Sequence, residues 1–335
     1  MKVVDWHDVT AAKFRQEILP SGQPAVLRGL VRHWPSVQAG RTSPAEMVSY
    51  LQKLSTGANV RLMTGAPSIE GRFFYNDDIT GVNFDITSVP FARVLSGLLE
   101  NLEVPAPPAI YAGAISIPEQ LPAFSQTNSL PLVEPSVEAK IWLGNRVTVQ
   151  THFDMSYNIA CVVAGHRRFT LFPPQQLDNM YMGPLEFTLA GPPISMVRLE
   201  APDLVKYPRF AEALAASQYA ELEPGDALFI PYMWWHHVES HDRFNVLVNY
   251  WWDDTPAWQG SPFWALMHSI LAVRNLPPDK RDIWRLAFEH LVFSGGDEAL
   301  AHLTERQRGV QGRPDPKKAE MIRNAVAKML LHGGR

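Results

Sequence analysis

Two short motifs contain residue types that can hold a divalent metal. His152 and Asp154 lie two positions apart in the run Thr-His-Phe-Asp, and His236 follows a second apolar run, Ala-Leu-Phe-Ile-Pro, much later in the chain. Residues two apart on a strand point to the same face. We therefore expect His152 and Asp154 to reach one ion together, with His236 supplied by another strand of the same fold.

Two imidazoles and one carboxylate on one face of an octahedron form the facial triad typical of non-haem Fe(II) oxygenases. Three positions stay open, which suits a 2-oxoacid that takes two and dioxygen that takes one. A His-x-Asp pattern alone is common by chance, but the strand-like context of both motifs favours a metal site. Because adjacent strand residues face opposite ways, we predict that His236 is a ligand and that His237 packs or makes an outer hydrogen bond.

The elements around these motifs are strands. From Ile110 to Trp252, short apolar or alternating runs are separated by Gly, Pro and Asp turns, which predicts a β-sandwich or barrel. The preceding part is mixed, and the part after Pro262 has apolar residues at helical spacing. We predict helices over 8–19, 43–53, 89–102, 263–273, 282–293 and 316–331, and early strands over 24–30, 60–63 and 72–75.

Composition limits the class of protein. The chain has 335 residues, 46% of them hydrophobic, with a net charge of −4 and a pI near 6.3. This disfavours a nucleic-acid or anionic membrane partner, although a local basic groove is compatible with it. Cys161 is the only cysteine, so no intramolecular disulfide can form. With neither a signal-peptide pattern nor a long apolar run, a soluble cytoplasmic protein is expected.

The core motifs resemble a known family. HFDMSYNIACVVAGHRRFTLFPP, followed by PGDALFIPYMWWHHVES and VNYWW, is similar to the JmjC or cupin-like hydroxylases, among them an asparaginyl hydroxylase. The resemblance implies a mostly β fold with α elements, a double-stranded β-helix of the jelly-roll type. It also implies Fe(II), the cosubstrate 2-oxoglutarate, and O2. The expected organisation is N-terminal α/β elements packing on the core over 1–108, the β-helix over 109–256, and a helical region over 257–335.

The family's functional residues can be placed on this chain. Its iron ligands fall on His152, Asp154 and His236, and its distal-carboxylate residue, a lysine in relatives, falls on Arg167. Arginine keeps the charge and can bind a carboxylate through two hydrogen bonds. By residue type alone, Arg167 would be read as a solvated arginine. The complete set expected on the cosubstrate side is Tyr111, Asn158, Arg167, Asn249 and Trp251.

One position departs from the family pattern. Relatives carry Thr or Ser three residues before the first iron histidine, whereas this chain has Val149. Thr148 and Thr151 flank it but should point away from the site on a regular strand. Either a β-bulge re-aims one of them, or Tyr111 and Arg167 hold the distal carboxylate alone.

The resemblance implies an Fe(II)- and 2-oxoglutarate-dependent dioxygenase that hydroxylates a carbon of a protein or peptide side chain. Two alternatives stay open: a hydroxylase of tRNA or of a small molecule in the same family, and a cupin that binds metal without oxygenase activity. The C-terminal helices correspond to a dimerisation region in the family. Their density of apolar residues, in 263–293 and 321–331, favours a homodimer.

Overall fold

The computed structural model describes residues 1–189, 191, 193–294 and 300–331. They divide into two compact units, Met1–Asp253 and Asp254–Arg335. The first unit includes the whole predicted N-terminal part and nearly all of the predicted β core. Among the described residues, no helix combines the length and hydropathy that a membrane span requires.

Two β-sheets form the first unit. A major sheet has the order β1-β2-β11-β8-β13-β6-β5-β3-β4, and a minor sheet has the order β10-β9-β12-β7. Neighbouring strands in these orders pair antiparallel, except that β1 pairs parallel with β2. The strands are β1 Val4–Trp6, β2 Ala25–Leu27, β3 Asn59–Gly65, β4 Asp85–Pro90, β5 Ala109–Ser116, β6 Ala139–Gly144, β7 Thr148–Phe153, β8 Tyr157–Ala164, β9 Arg167–Phe172, β10 Gln218–Leu222, β11 Ala227–Ile230, β12 Trp235–Ser240 and β13 Asn245–Trp252.

Strand β8 shows why this sequence folds as two layers. Its apolar run is continuous because the strand lies inside the major sheet and is covered on both faces. Ile159 and Cys161 point into the larger core, which the helices of the first unit cover, while Ala160 and Val162 point into the core shared with the minor sheet. The alternation therefore gives the sheet two apolar faces.

The predicted helices are present with shifted bounds. Ser43 caps one of them, with its side chain accepting a hydrogen bond from the Glu46 backbone N–H. The predicted 89–102 helix begins later because strand β4 occupies 85–90. The first unit contains helical segments Ala11–Lys13, Phe14–Ile18 (a π turn), Leu19–Ser21, Pro35–Thr42, Pro44–Leu54, Pro67–Ile69 (3₁₀), Phe91–Glu100, Ile117–Gln120, Phe124–Thr127, Pro174–Asn179 (3₁₀) and Phe210–Ala216.

The prediction of a strand over 72–75 is wrong. Only isolated bridges form there, from Arg72 to Thr148 and from Tyr75 to Val82. The side chain of Asn83 takes the place of a strand partner: its Oδ1 accepts from the Phe74 N–H at 2.8 Å, and its Nδ2 donates to the Arg72 carbonyl at 3.0 Å. A side-chain amide thus satisfies the backbone groups that a neighbouring strand would otherwise pair.

The second unit is helical, as predicted. Its apolar side chains do not form a buried core of their own, since Gly312 is the only buried residue in the described part of 254–331. Its segments are Ala257–Gln259 (3₁₀), Pro262–Val273, Pro278–Phe288, Glu289–Phe293 (a π turn), Glu305–Arg308, Gly309–Gln311 (3₁₀) and Pro316–Leu331.

Candidate metal and cosubstrate site

The pairing of β7 with β12 places two histidines side by side. His236 is the direct cross-strand partner of His152, and their ring centroids are 4.2 Å apart. A register shift follows, so that Val238 pairs with Val149 and two residues of β7 oppose one residue of β12. This bulge lies immediately beside the histidine pair, a position where bulges commonly adjust the aim of side chains.

Asp154 completes a cluster of three donors. Its Oδ2 lies 3.5 Å from Nε2 of His236, and its Oδ1 lies 4.0 Å from Nε2 of His152. One possible ligand atom from each of the three residues lies within 4.8 Å of the other two. This spacing is compatible with one metal ion held by two imidazoles and a carboxylate. The three predicted ligands are therefore brought together.

Each histidine ring is oriented by the backbone carbonyl of the residue two positions before it. Nδ1 of His152 lies 2.8 Å from the Gln150 carbonyl, and Nδ1 of His236 lies 3.0 Å from the Trp234 carbonyl. A carbonyl only accepts, so each Nδ1 carries the proton and each Nε2 keeps a lone pair for a metal. Burial, reinforced by the nearby His152, lowers the pKa of His236 and favours the neutral, metal-binding form.

An inner cavity of about 60 Å³ adjoins the triad, and Arg167 lies in its wall. Arg167 is only 3% exposed, and its Nε and Nη2 atoms have no hydrogen-bond partner among the described residues. Burial lowers the pKa of its guanidinium to about 10. An unpaired buried cation is costly, so this cavity is suited to an anionic ligand. Its other walls include Tyr111, Asn158, Phe169, Val238, Leu247, Asn249 and Trp251.

A chain of hydrogen bonds connects the polar residues of the major sheet. The indole Nε1 of Trp142 donates to Oδ1 of Asn249 at 2.7 Å, and Nδ2 of Asn249 donates to Oδ1 of Asn158 at 3.2 Å. Trp251, next on the same face of β13, donates from Nε1 to Oδ2 of Asp154 at 3.1 Å. The predicted residues Asn158 and Asn249 are thus bonded to each other and Trp251 is bonded to the triad itself, while Trp142 is a member of the first chain that sequence reasoning missed.

The position of Val149 distinguishes the two possibilities raised by the sequence. A bulge is present, but it leaves Val149 lining the inner cavity. Thr151 points away, with its Oγ1 3.1 Å from Nδ1 of His237. Tyr111 lines the same cavity and interacts electrostatically with Arg167. The geometry therefore favours Tyr111 and Arg167 as the polar contacts for the far end of a ligand.

His237 faces away from the triad, as the strand alternation predicts. It is fully buried, and its Nε2 lies 3.4 Å from Oε1 of Glu200. Glu200 follows a segment fixed to β7, because Nε2 of Gln150 donates to the carbonyls of Ser195 and Val197, each at 2.8 Å. Sequence reasoning missed Glu200, which lies outside any strand and carries no motif.

The residues present fit a metal and a bound dicarboxylate. The triad supplies the nitrogen and oxygen donors that suit Fe(II). Arg167 supplies a buried, unpaired guanidinium of the geometry that carboxylates bind. The walls between them are largely apolar, which would strengthen a charged contact made inside.

Fold and site together define a JmjC-type, cupin-like domain. The chain belongs to this family: the cupin-like domain matches residues 11–257. The predicted fold class and family resemblance are thereby confirmed.

Three relatives show how the similarity is distributed. The Jumonji C domain-containing protein 5 of Drosophila melanogaster is 27% identical over 252 residues, covering 72% of this chain and 57% of that protein. A lysine-specific demethylase of Arabidopsis thaliana is 36% identical over 134 residues, covering 40% of this chain but only 23% of that protein. The tRNA wybutosine-synthesizing protein 5 of Mus musculus is 26% identical over 267 residues, covering 74% of this chain and 77% of that protein.

Proposed function

We propose that this protein is an Fe(II)- and 2-oxoglutarate-dependent dioxygenase that hydroxylates a carbon atom of its substrate. The observation that supports this most is the unpaired guanidinium of Arg167, buried in a cavity that also reaches the triad of His152, Asp154 and His236. A metal-binding cupin without a cosubstrate has no need of such a costly cation. A dicarboxylate such as 2-oxoglutarate would neutralise it.

Each part of the site has a role in this proposal. The triad would hold Fe(II), which with 2-oxoglutarate and O2 supplies the chemistry for oxidising a C–H bond. Arg167 and Tyr111 would bind the distal carboxylate of 2-oxoglutarate. Val149, Phe169 and Leu247 line the same cavity with apolar surface and exclude water around that contact. The cosubstrate would thereby be fixed in one orientation.

The names of the relatives cover two substrate classes, a methylated lysine and a tRNA base. Demethylation by such a site is itself a hydroxylation, because hydroxylation of an N-methyl group is followed by loss of formaldehyde. We propose hydroxylation of a protein or peptide side chain. The pI near 6.3 gives no general attraction to RNA.

The test is the dependence of 2-oxoglutarate turnover on Arg167. Purified protein with Fe(II) and oxygen should convert 2-oxoglutarate to succinate. Arg167→Met should raise the KM for 2-oxoglutarate by about one to two orders of magnitude, corresponding to a lost charged contact of about 1.5–3 kcal/mol. Arg167→Lys should have a smaller effect.

Arg168→Met is the matched control. Arg168 is adjacent in sequence, but its side chain is 40% exposed and lies over the ring of Tyr219, 4.8 Å from the centroid. The KM of Arg168→Met for 2-oxoglutarate should stay within about twofold of that of the unchanged protein. If neither variant alters KM, or if no 2-oxoglutarate turnover or binding is measured with Fe(II), the proposal is wrong.

A further inference from the structure

A second and larger cavity adjoins the triad, and Arg167 is not among its described lining residues. This outer chamber has a volume of about 220 Å³. The residues it shares with the inner cavity are Tyr111, Trp142, Val149, His152, Asp154 and Trp251. A ligand in it would lie next to the metal position without occupying the site of the cosubstrate. Its other described walls include Arg61, Met63, Phe73, Phe84 and Ile194.

Aromatic rings form a continuous wall from the chamber toward the metal. The ring of Phe84 meets Phe73 edge to face at a centroid distance of 5.2 Å, and Phe73 lies 6.0 Å from Tyr111. Tyr111 stacks on Trp142 at 6.0 Å, and Trp142 meets Trp251 edge to face at 5.5 Å. Since Trp251 also bonds Asp154, this aromatic wall ends at a proposed metal ligand.

Both indoles and the one side-chain amide of the described chamber wall already have hydrogen-bond partners. The indole N–H groups of Trp142 and Trp251 donate to Asn249 and Asp154. The amide of Gln150 is also used, because its Nε2 donates to two backbone carbonyls and its Oε1 accepts from Arg72 at 3.3 Å. The chamber therefore presents mainly carbon surface, which favours burial of apolar groups.

The charges around the chamber disfavour a cationic guest. Asp154 is the only carboxylate among its described lining residues, and a bound metal would take up that charge. Arg61, two positions from Met63 on β3, adds a positive, solvent-exposed side chain to the wall. An aromatic wall attracts cations to a degree, but a desolvated ammonium here would face a guanidinium and a metal with no free carboxylate.

We infer that the substrate group entering the outer chamber is uncharged and apolar, an aromatic ring or a branched aliphatic chain, and is not a methylated ammonium. This rests on the proposed function. The reaction is R–H + O2 + 2-oxoglutarate giving R–OH + succinate + CO2. The C–H bond and the bond between C1 and C2 of 2-oxoglutarate break. Each organic reactant loses two electrons and O2 gains four; one oxygen atom of O2 goes to R–OH and the other to succinate.

Two probes of the same shape test the charge preference. tert-Butylbenzene is neutral, and trimethylphenylammonium differs from it by a cationic nitrogen in place of one carbon. Binding is measured by ligand-detected NMR to the anaerobic protein loaded with Fe(II), both without and with 2-oxoglutarate. We expect the neutral probe to bind at least tenfold more tightly in both forms. A cationic probe that binds equally or more tightly overturns the inference.

Substitutions in the wall establish that the probes report on this chamber. Arg61→Glu should strengthen binding of the cationic probe at least threefold, while Arg61→Gln gives a smaller gain. Phe84→Ala should weaken binding of the neutral probe at least threefold. Trp264→Ala, which removes a ring that is 71% exposed, should leave it unchanged. Equal effects of Phe84→Ala and Trp264→Ala would show non-specific adhesion and overturn the inference.

The two proposals fail in different ways. If 2-oxoglutarate is turned over but the cationic probe is preferred, the substrate class is wrong and the oxygenase stands. If 2-oxoglutarate neither binds nor turns over, the oxygenase proposal fails. The titration with Fe(II) alone then still decides whether the chamber selects a neutral group.

Discussion

The indole Nε1 of Trp251 donates a hydrogen bond to Oδ2 of Asp154 at a distance of 3.1 Å. Trp251 belongs to β13 of the major sheet, whereas Asp154 follows β7 of the minor sheet. The contact therefore ties the proposed carboxylate ligand to the opposite layer. The other carboxylate oxygen, Oδ1, is not hydrogen-bonded to that indole. Contacts of this kind orient a metal ligand and tune its affinity.

Trp251→Phe should weaken metal binding by about 10–100-fold, because outer partners of metal ligands typically contribute that much. The ring shape is largely kept, so the fold should be retained. The measurement is a titration of the metal-free protein with Fe(II) under anaerobic conditions. Trp252→Phe is the control, since Trp252 points to the other side of β13 and packs against Tyr157 at 5.4 Å. Equal metal affinity in the two variants would contradict the role given to Trp251.

Replacing His236 should abolish metal binding, whereas replacing the adjacent His237 should not. His236→Ala removes a donor whose Nε2 lies 3.5 Å from Asp154, and we expect loss of Fe(II) binding and of 2-oxoglutarate turnover. His237→Ala removes a buried ring that contacts Thr151 and Glu200, so it should reduce stability but retain stoichiometric metal. Metal content by atomic absorption and a urea unfolding curve distinguish the two. Metal loss only in His237→Ala would mean that the ligand is misassigned.

Arg167→Met should stabilise the metal-free protein while weakening its affinity for 2-oxoglutarate. Burial lowers the pKa of Arg167 to about 10, which means that the folded chain disfavours this charge. Replacing it with an apolar side chain of similar length should raise the free energy of unfolding by about 1–3 kcal/mol. Urea unfolding without metal or cosubstrate measures this, with Arg168→Met as a control expected within about 0.5 kcal/mol. A destabilised Arg167→Met would indicate a structural role for the guanidinium.

The sequence was sufficient to predict the positions of the triad because its members lie on or next to regular strands. A period of two placed His152 and Asp154 together and separated His236 from His237, and the antiparallel pairing of β7 with β12 brings the two halves into contact. Arg167 was different. Its residue type suggested a solvated arginine, and only the family resemblance indicated the buried position in which it lies.

Features that depend on irregular backbone could not be predicted in this way. The bulge beside Val149 adds one residue to β7, and no local pattern specifies it. Phe73 and Phe84 reach the outer chamber from a segment held by the side chain of Asn83, and a strand had been expected at 72–75. Glu200 comes close to His237 only because the irregular segment before Glu200 follows a particular path across the fold. Hydrophobic periodicity encodes none of these long-range contacts.

Glu200→Gln should reduce stability in a pH-dependent manner. Burial by itself raises the pKa of the Glu200 carboxyl, but the contact with His237 and a backbone hydrogen bond outweigh it and lower the pKa to about 2. The folded value lies below the ordinary value of 4.5. The carboxylate therefore contributes stability above pH 4.5 that is lost as the pH falls through about 2.

We expect Glu200→Gln to cost about 1–2 kcal/mol at pH 7, less than the full linkage value because the side chain is 30% exposed. At pH 4 the cost should be smaller by about 0.8 kcal/mol, since the unfolded carboxyl is then mostly protonated. Urea unfolding of the metal-free protein at both pH values measures the difference. The exposed Glu17→Gln serves as the control. A cost that does not change with pH would show that the charge of Glu200 is irrelevant.

The helices of the second unit carry apolar surface that this unit does not itself bury, and we propose that a second copy of the chain covers it. Trp264 is 71% exposed, Leu271 is 73% exposed and Leu286 is 71% exposed. Such density on neighbouring helices exceeds what a monomer normally presents to water. A two-fold interface would bury the same surface on both copies.

Light scattering on the intact chain should therefore give about twice the monomer mass of 37.6 kDa. Leu286→Glu should shift the mass toward the monomer, because burying an unpaired carboxylate at the interface is unfavourable. Val205→Glu is the control, since Val205 is 95% exposed in the first unit and should leave the mass unchanged. Truncation before Pro316 should give monomer or aggregate, because it removes the helix Pro316–Leu331 and exposes what that helix covers. A monodisperse and active monomer of the intact chain at high concentration would rule out the dimer, and the exposed helices would then need a different partner.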